Sequence, residues 1–303
     1  MTGTIQARIS RRSFGKSLVA AGLGYAAVPA RAEPSQKQPI MIDTHSHVFH
    51  RGLQLADSRR YAPGYDAPLD LYLQQLDDNG ISNGVLVQPS FLGTDNSYLV
   101  QCVLAARGRL RGIAVVDPNV TSDDLNRLND SGIVGLRLNL VGKPLPDLAS
   151  PAWGGLLERA EKLQWQIEVQ RAAIDLAALA PALLAFGVNV VLDHYALPNA
   201  GTGAADPGLV ALTKLGQSRR LWVKVSAPYR IGEDGNRIGR EAFALLRGSL
   251  GRDRLIWGSD WPHTQFESTQ TYARALAAFA EIVGDPDDRM AILQNPRGLF
   301  RFD

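Results

Sequence analysis

"IMIDTHSHVFH" (residues 40–50) sets a short apolar run directly before three of the chain's five histidines. The run "IMIDTH" (40–45) has the length and β-branched content of a strand, and the polar residues begin where such a strand would end. Seven later stretches have the same form: "GVLVQP" (84–89), "RGIAVVDP" (111–118), "GIVGLRLN" (132–139), "WQIEVQ" (165–170), "VNVVLDH" (188–194), "LWVKVS" (221–226) and "RLIWGSD" (254–260). Near-continuous apolar strands imply burial on both faces, as in parallel sheets. Amphipathic segments such as "LDLYLQQLDDNG", "SDDLNRLNDSG", "WGGLLERAEKLQ" and "DLAALAPALLAFG" lie between them, several closed by the glycine that commonly ends a helix. Eight strands with seven intervening helices match a single-domain α/β fold, the (β/α)8 TIM barrel of about 250 residues. A doubly wound sheet shows the same alternation, and the strand count favours the barrel.

The composition of the 303-residue chain, 45% hydrophobic and 20% charged, suits a globular domain with a sizeable core. The first 32 residues differ. "SRRSFGK" (10–16) precedes a mild apolar stretch and "PARA", with Ala30 and Ala32 at the small positions of a cleavage site. Paired Arg11 and Arg12, with Phe14 and Lys16, give the pattern of a twin-arginine signal, so export to the periplasm is expected. The apolar stretch is too short and too rich in Gly and Ala for a stable membrane anchor. The expected organisation is a signal peptide (1–32), a polar linker (33–39) and the barrel (40–303). Residues 1–32 carry five of the 32 basic residues and no acid, which leaves 27 basic against 30 acidic, a net of −3. The basicity belongs to the signal and gives no argument for a nucleic-acid partner. A single cysteine, Cys102, excludes an internal disulfide and fits buried packing in a helix.

In a barrel, chemistry gathers at the C-terminal ends of the strands. There the chain places His45 and His47, Gln88 and Ser90, Arg137 and Asn139, Gln170, Asp193 and His194, Lys224 and Ser226, and Asp260 with His263 just beyond. Every histidine lies at or after a strand end. His45 and His47, two apart on a strand, share a face and enter the mouth together. With His194 and Asp260 they make either a polar plug or a reaction site able to ligate one Zn or similar ion. Asp260 is the candidate to take a proton from water; its other role would be to orient a histidine. Asp193 precedes His194 on the strand, so its side chain is expected to point away and to be structural. Arg137, Lys143 and Arg230 suit a carboxylate or phosphate. Thr94 and Asn96 in "GTDNS" (93–97) offer hydrogen bonds to a substrate or cap the next helix. The long loop from His47 to Pro68, with Tyr61 and Tyr65, suits a cover over the site.

Taken as an ordered set, "IDTHSHVF", "VLVQPSFLGTDN", "RGIAVVDP", "GLRLN", "VVLDH", "WVKVS" and "LIWGSDWPH" resemble the amidohydrolase superfamily, within it the branch of 2-pyrone-4,6-dicarboxylate lactonase and related sugar-lactone hydrolases. The resemblance spans residues 40–303. It implies a distorted TIM barrel that opens a lactone ring. It places His45, His47, His194 and Asp260 at metal-ligand or proton-transfer positions, and Ser90, Thr94, Asn96, Arg137, Lys143 and Arg230 where substrate carboxylates bind. Binuclear members carry a carboxylated lysine and a further histidine on middle strands, where this chain has Arg137 and Gln170, so at most one ion is implied, and some members of the branch work with none. Leu197 stands where the pyrone-dicarboxylate enzymes have an arginine, which leaves some other acidic lactone open. The expectation is a hydrolase with Asp260, His45, His47, His194 and His263 as its catalytic set. A Zn-dependent decarboxylase and a binding protein without catalysis are the alternatives.

Overall fold

Eight parallel strands follow one another around a barrel in sequence order: β1 (Ile42–Ser46), β2 (Asn83–Val87), β3 (Leu110–Ala114), β4 (Ile133–Asn139), β5 (Gln166–Gln170), β6 (Val190–Leu192), β7 (Leu221–Lys224) and β8 (Leu255–Ile256). After them in turn come α1 (Leu69–Asp78), α2 (Ser97–Ala105), α3 (Ser122–Asp130), α4 (Pro151–Lys162), α5 (Ala173–Ala185), α6 (Pro207–Thr213), α7 (Gly235–Leu250) and α8 (Tyr272–Ile282). This is the TIM barrel expected from the strand count. The computed structural model describes residues 39–302; the twin-arginine signal and nearly all of the linker lie outside the described residues. Among the described residues no helix is long and apolar enough to cross a membrane.

Backbone bonds between β1 and the segment leaving β8 close the seam. Thr44 N donates to the Trp257 carbonyl (2.9 Å), Asp260 N to His45 (2.8 Å) and His47 N to Trp261 (2.8 Å). Around the sheet, alternate strand residues such as Leu86, Leu136, Ile167 and Val223 meet helix residues such as Leu76, Val103, Leu157 and Leu246 in the larger core. Helices α1, α3 and α5 stop just before Gly80, Gly132 and Gly187, each at positive φ, as the sequence leads one to expect. Cys102 is buried in α2.

The opposite strand faces fill the barrel. Its base is apolar: Val85, Ile113, Val134, Val191, Trp222 and Ile256 pack with Phe300 and Phe302 from the end of the chain. Its mouth is polar, and two register slips make the change possible. Between Asp43 and Ser46 the β1–β2 pairing shifts. Ile42 therefore packs inside, Asp43 meets the hydroxyls of Tyr72 and Tyr272 on α1 and α8, and His45 and His47 return to the interior. A slip between β3 and β4 likewise lets Val134 fill the base while Arg137 and Asn139 line the mouth.

Strands β6 and β8 are shorter than the stretches 188–194 and 254–260 suggest. Beyond β6 the chain turns at His194 (φ 51°), and some way beyond β8 it turns at Asp260 (φ 62°), both in left-handed backbone. After β6 this conformation persists through Tyr195, Ala196 and Leu197, four non-glycine residues in a row, at a cost of about 1–2 kcal/mol each. Their backbone is tied by bonds from Ala196 N to Asp193 and from Ala173 N to Leu197.

Candidate active site

Asp260 is buried at the mouth of the barrel, and its two oxygens have different surroundings. Oδ2 accepts from the Tyr229 hydroxyl (2.6 Å) and from Arg230 Nε (2.5 Å). Oδ1 has no hydrogen-bond partner and faces three imidazoles: His45 Nε2 at 3.7 Å, His47 Nε2 at 3.9 Å and His194 Nε2 at 3.9 Å. Burial, the largest single influence, would raise the carboxyl pKa, but the Arg230 guanidinium and the surrounding histidines together outweigh it and hold Asp260 well below the usual range. Burial drives the histidines the other way, His47 to about 3 and His194 to about 4, so both are neutral near pH 7. Gly258 makes the approach of β1 possible, because a Cβ there would lie 2.5 Å from that of His45.

The other ring nitrogens are held from behind. His47 Nδ1 lies 2.7 Å from the Val87 carbonyl, which can only accept; the proton is on Nδ1 and Nε2 presents a lone pair. His194 Nδ1 meets the Ser226 hydroxyl at 2.9 Å. His45 Nδ1 meets Lys224 Nζ at 2.9 Å and Asp193 Oδ1 at 3.3 Å. Lys224, fully buried, also contacts Glu168 (2.6 Å) and Asp193 (3.2 Å), and Arg137 reaches Asp193 (3.4 Å) and Gln170 (2.7 Å). Two cations and two carboxylates thus lie beneath the histidines. Asp193 does not point away, as its place beside His194 suggests. Strand alternation puts it inside with Val191, and the left-handed turn at His194 brings the next ring in as well. Glu168 carried no functional reading in the sequence, although a charge at an inward position of the apolar "WQIEVQ" was a visible signal.

Above the carboxylate lies a cavity of ≈ 180 Å³. His47, Ser90, Arg137, Arg230 and Asp260 line it among the expected residues. Ser90 Oγ, Arg137 Nε and Asn139 Oδ1 are buried without hydrogen-bond partners. Others stand elsewhere. Asn96 spends its amide on Thr94 O, Val115 O and Val115 N, and so clamps two loops together. Thr94 and Lys143 are exposed outside the cavity. His263 is buried behind Tyr229, 3.2 Å from its hydroxyl, and burial holds it at about 4. The loop from His47 to Pro68 does cover the mouth. It is pinned by the Phe49–Ala67 bridge, packs on Phe91 and Leu92, contributes Arg60 and Tyr61 to the cavity, and joins Tyr61 to Thr264 by a 3.1 Å bond. Leu197 and Val141 also line the cavity.

The profile described as "Amidohydrolase" matches residues 42–302, all but a few of the described positions. The chain belongs to the amidohydrolase family. Among curated relatives it is 29% identical to the 2-pyrone-4,6-dicarbaxylate hydrolase of Comamonas testosteroni over 245 residues, 77% of this chain and 80% of that protein. It is 30% identical to the 4-sulfomuconolactone hydrolase of Rhizobium radiobacter over 232 residues, 74% and 76% of the two chains. Among solved structures, the "probable 2-pyrone-4,6-dicarboxylic acid hydrolase" of Acinetobacter baumannii, with citric acid bound, superposes with a TM-score of 0.84 at 40% identity, over 86% of this chain and 99% of that one.

Amidohydrolases commonly hold a divalent ion, and this member has side chains to suit one. Ligand atoms of His45, His47 and Asp260 lie within 4.8 Å of one another, all buried. Asp260 Oδ1 and the Nε2 atoms of His45 and His194 lack partners. Tetrahedral ligation at about 2.0–2.2 Å sets ligand atoms about 3.3–3.6 Å apart, close to the spacing here. The amidohydrolase can therefore seat one ion at this cluster. A second group of candidate ligands, His45, Asp193 and His194, shares His45 with the first.

Proposed function

We propose that this amidohydrolase hydrolyses a lactone ring in a small acidic substrate. The observation that carries the proposal is the unpartnered Oδ1 of Asp260, facing three imidazoles at the floor of a cavity that also holds Arg137 and Arg230. Asp260 Oδ1 and His47 Nε2 both accept, and so they can hold a water by its two hydrogens. As the water oxygen attacks the ring carbonyl, its proton passes to Asp260; collapse of the adduct breaks the ring C–O bond, and Asp260 returns the proton to the leaving oxygen. When a divalent ion is bound, His45, His47 and Asp260 would hold it in place of the His47–water contact, and it would supply Lewis-acid polarisation of the carbonyl. Arg137 and Ser90 hold the substrate carboxylate. Two relatives named as hydrolases of pyrone dicarboxylate and sulfomuconolactone, and the citric acid in the Acinetobacter neighbour, support an acidic lactone. Leu197 and Val141 give part of the lining an apolar character, which leaves room for an acidic lactone other than the pyrone dicarboxylate.

The test is turnover of carboxylated lactones, 2-pyrone-4,6-dicarboxylate included, followed by acid release, with Asp260→Asn alongside. Expected is ring opening that vanishes in the variant. Carbon dioxide release with strict metal dependence would instead make the protein a decarboxylase, and tight lactone binding without turnover would make it a binding protein. For the first 32 residues we propose twin-arginine export, on the strength of "SRRSFGK". Replacing Arg11 and Arg12 by Lys should keep the protein in the cytoplasmic fraction.

A further inference from the structure

His45 and His47 stand two residues apart, yet their surroundings ask for opposite tautomers. Behind His47 is a carbonyl, which fixes the proton on Nδ1. Behind His45 is an ammonium: Lys224 Nζ at 2.9 Å can only donate, so Nδ1 must offer its lone pair and the proton moves to Nε2. Asp193 Oδ1, at 3.3 Å from the same nitrogen, asks for the reverse. The hydrogen-bond geometry favours the lysine. It donates to Glu168 Oε2 (2.6 Å) and to His45 Nδ1 (2.9 Å), in a fully buried place where an unused donor would be costly, and has Asp193 Oδ1 at 3.2 Å as an ion-pair neighbour only. The His45–Asp193 pair, by contrast, makes no hydrogen bond of good geometry, and Asp193 Oδ1 remains without one.

We infer that Lys224 is a positioning residue that holds His45 as an Nε2–H donor and thereby lowers the affinity of the cluster for a divalent ion. In this form the ring points an N–H into the gap before Asp260, where it can polarise a substrate carbonyl, while His47 and Asp260 accept from the water. Ligation through His45 Nε2 requires the proton to move to Nδ1. Lys224 must then give up its bond to His45, and Asp193 must take the new N–H. Lys224 is thus the element that decides whether His45 serves the carbonyl directly or serves a metal. The role in catalysis rests on the hydrolase reading, but the tautomer belongs to the free protein and is measured without any lactone.

The test is nitrogen-15 NMR of histidine-labelled, chelator-treated full-length protein, with the His45 signals assigned by their loss in His45→Gln. Expected are Nε2–H for His45 and Nδ1–H for His47 in the wild type, and a change of His45 to Nδ1–H in Lys224→Met. An Nδ1–H His45 in the wild type would overturn the assignment. Competition with a chromophoric chelator should show Zn²⁺ bound at least about tenfold more tightly by Lys224→Met, an advantage of about 1.4 kcal/mol. Equal affinity would also overturn it. The double variant Glu168→Gln/Lys224→Met removes both charges together and gives the same readout if the single variant does not fold. A lactone panel that fails leaves these results untouched, and the converse holds.

Discussion

Arg230 Nε stands 2.5 Å from Asp260 Oδ2 and thereby aims the other oxygen of the carboxylate at the histidines. Position, as much as charge, is what this contact supplies. Asp260→Glu keeps the charge but carries it one methylene further, so the contact with Arg230 and the aim of Oδ1 cannot both survive. Single-turnover rates should fall about 10²-fold, the effect of roughly 1 Å of misplacement. A wild-type rate would mean that the carboxylate acts from no fixed place.

Arg137 should act chiefly on binding. It lines the cavity, and its Nε is buried without a hydrogen-bond partner while its other nitrogens hold Gln88, Gln170 and Asp193. Arg137→Met should raise KM for a carboxylated lactone about 10- to 100-fold, the loss of one charged hydrogen bond of about 1.5–3 kcal/mol. A neutral lactone of the same ring should show no such change in KM.

Asn96 and Lys143 should prove silent in KM. Asn96→Ala removes two bonds between loops and one within its own loop, and should lower stability by about 1–3 kcal/mol in urea unfolding. Lys143→Ala, at an exposed position, should change neither quantity. A tenfold rise in KM for either would place it on the substrate after all.

Stability of the chelator-treated protein should depend on acidity. Burial holds His47 at about 3 and His194 and His263 at about 4, below the ordinary 6.5. Between those values and 6.5 the unfolded chain binds protons that the folded one does not, so stability falls as pH drops through that window and is complete above it. Urea midpoints at pH 7, 6 and 5 should decline in that order. A flat series would show that these rings are protonated in the fold.

The barrel was legible because strand-length apolar runs recur with helical patterns between them, a signal that survives without any knowledge of contacts. The convergence of His45, His47, His194 and Asp260 was legible for a related reason: strand ends in a barrel share one mouth. The backing was not. Asp193 was misplaced because alternation was carried through His194, where the backbone turns left-handed. The register slip in β1 was equally hidden, since nothing in "IDTHS" marks the change of phase between Ile42 and His45. Asn96 looked like a ligand because a loop amide that binds substrate and one that clamps two loops have the same sequence context.

Phe300 and Phe302 fill the base of the barrel from the last described turn of the chain. Phe300 is buried completely, and Phe300→Ala should cost about 3–5 kcal/mol in unfolding experiments. The same arrangement bears on the order of events during synthesis. The interior cannot be completed, nor β1 joined to the segment after β8, until these late residues have left the ribosome. The first strand, with its two histidines, can pair with β2 early, but its other edge waits for partners more than two hundred residues downstream. The histidine–aspartate cluster therefore comes into being only once the segment beyond β8 has been made and has met β1, a contact between parts of the chain far apart in sequence.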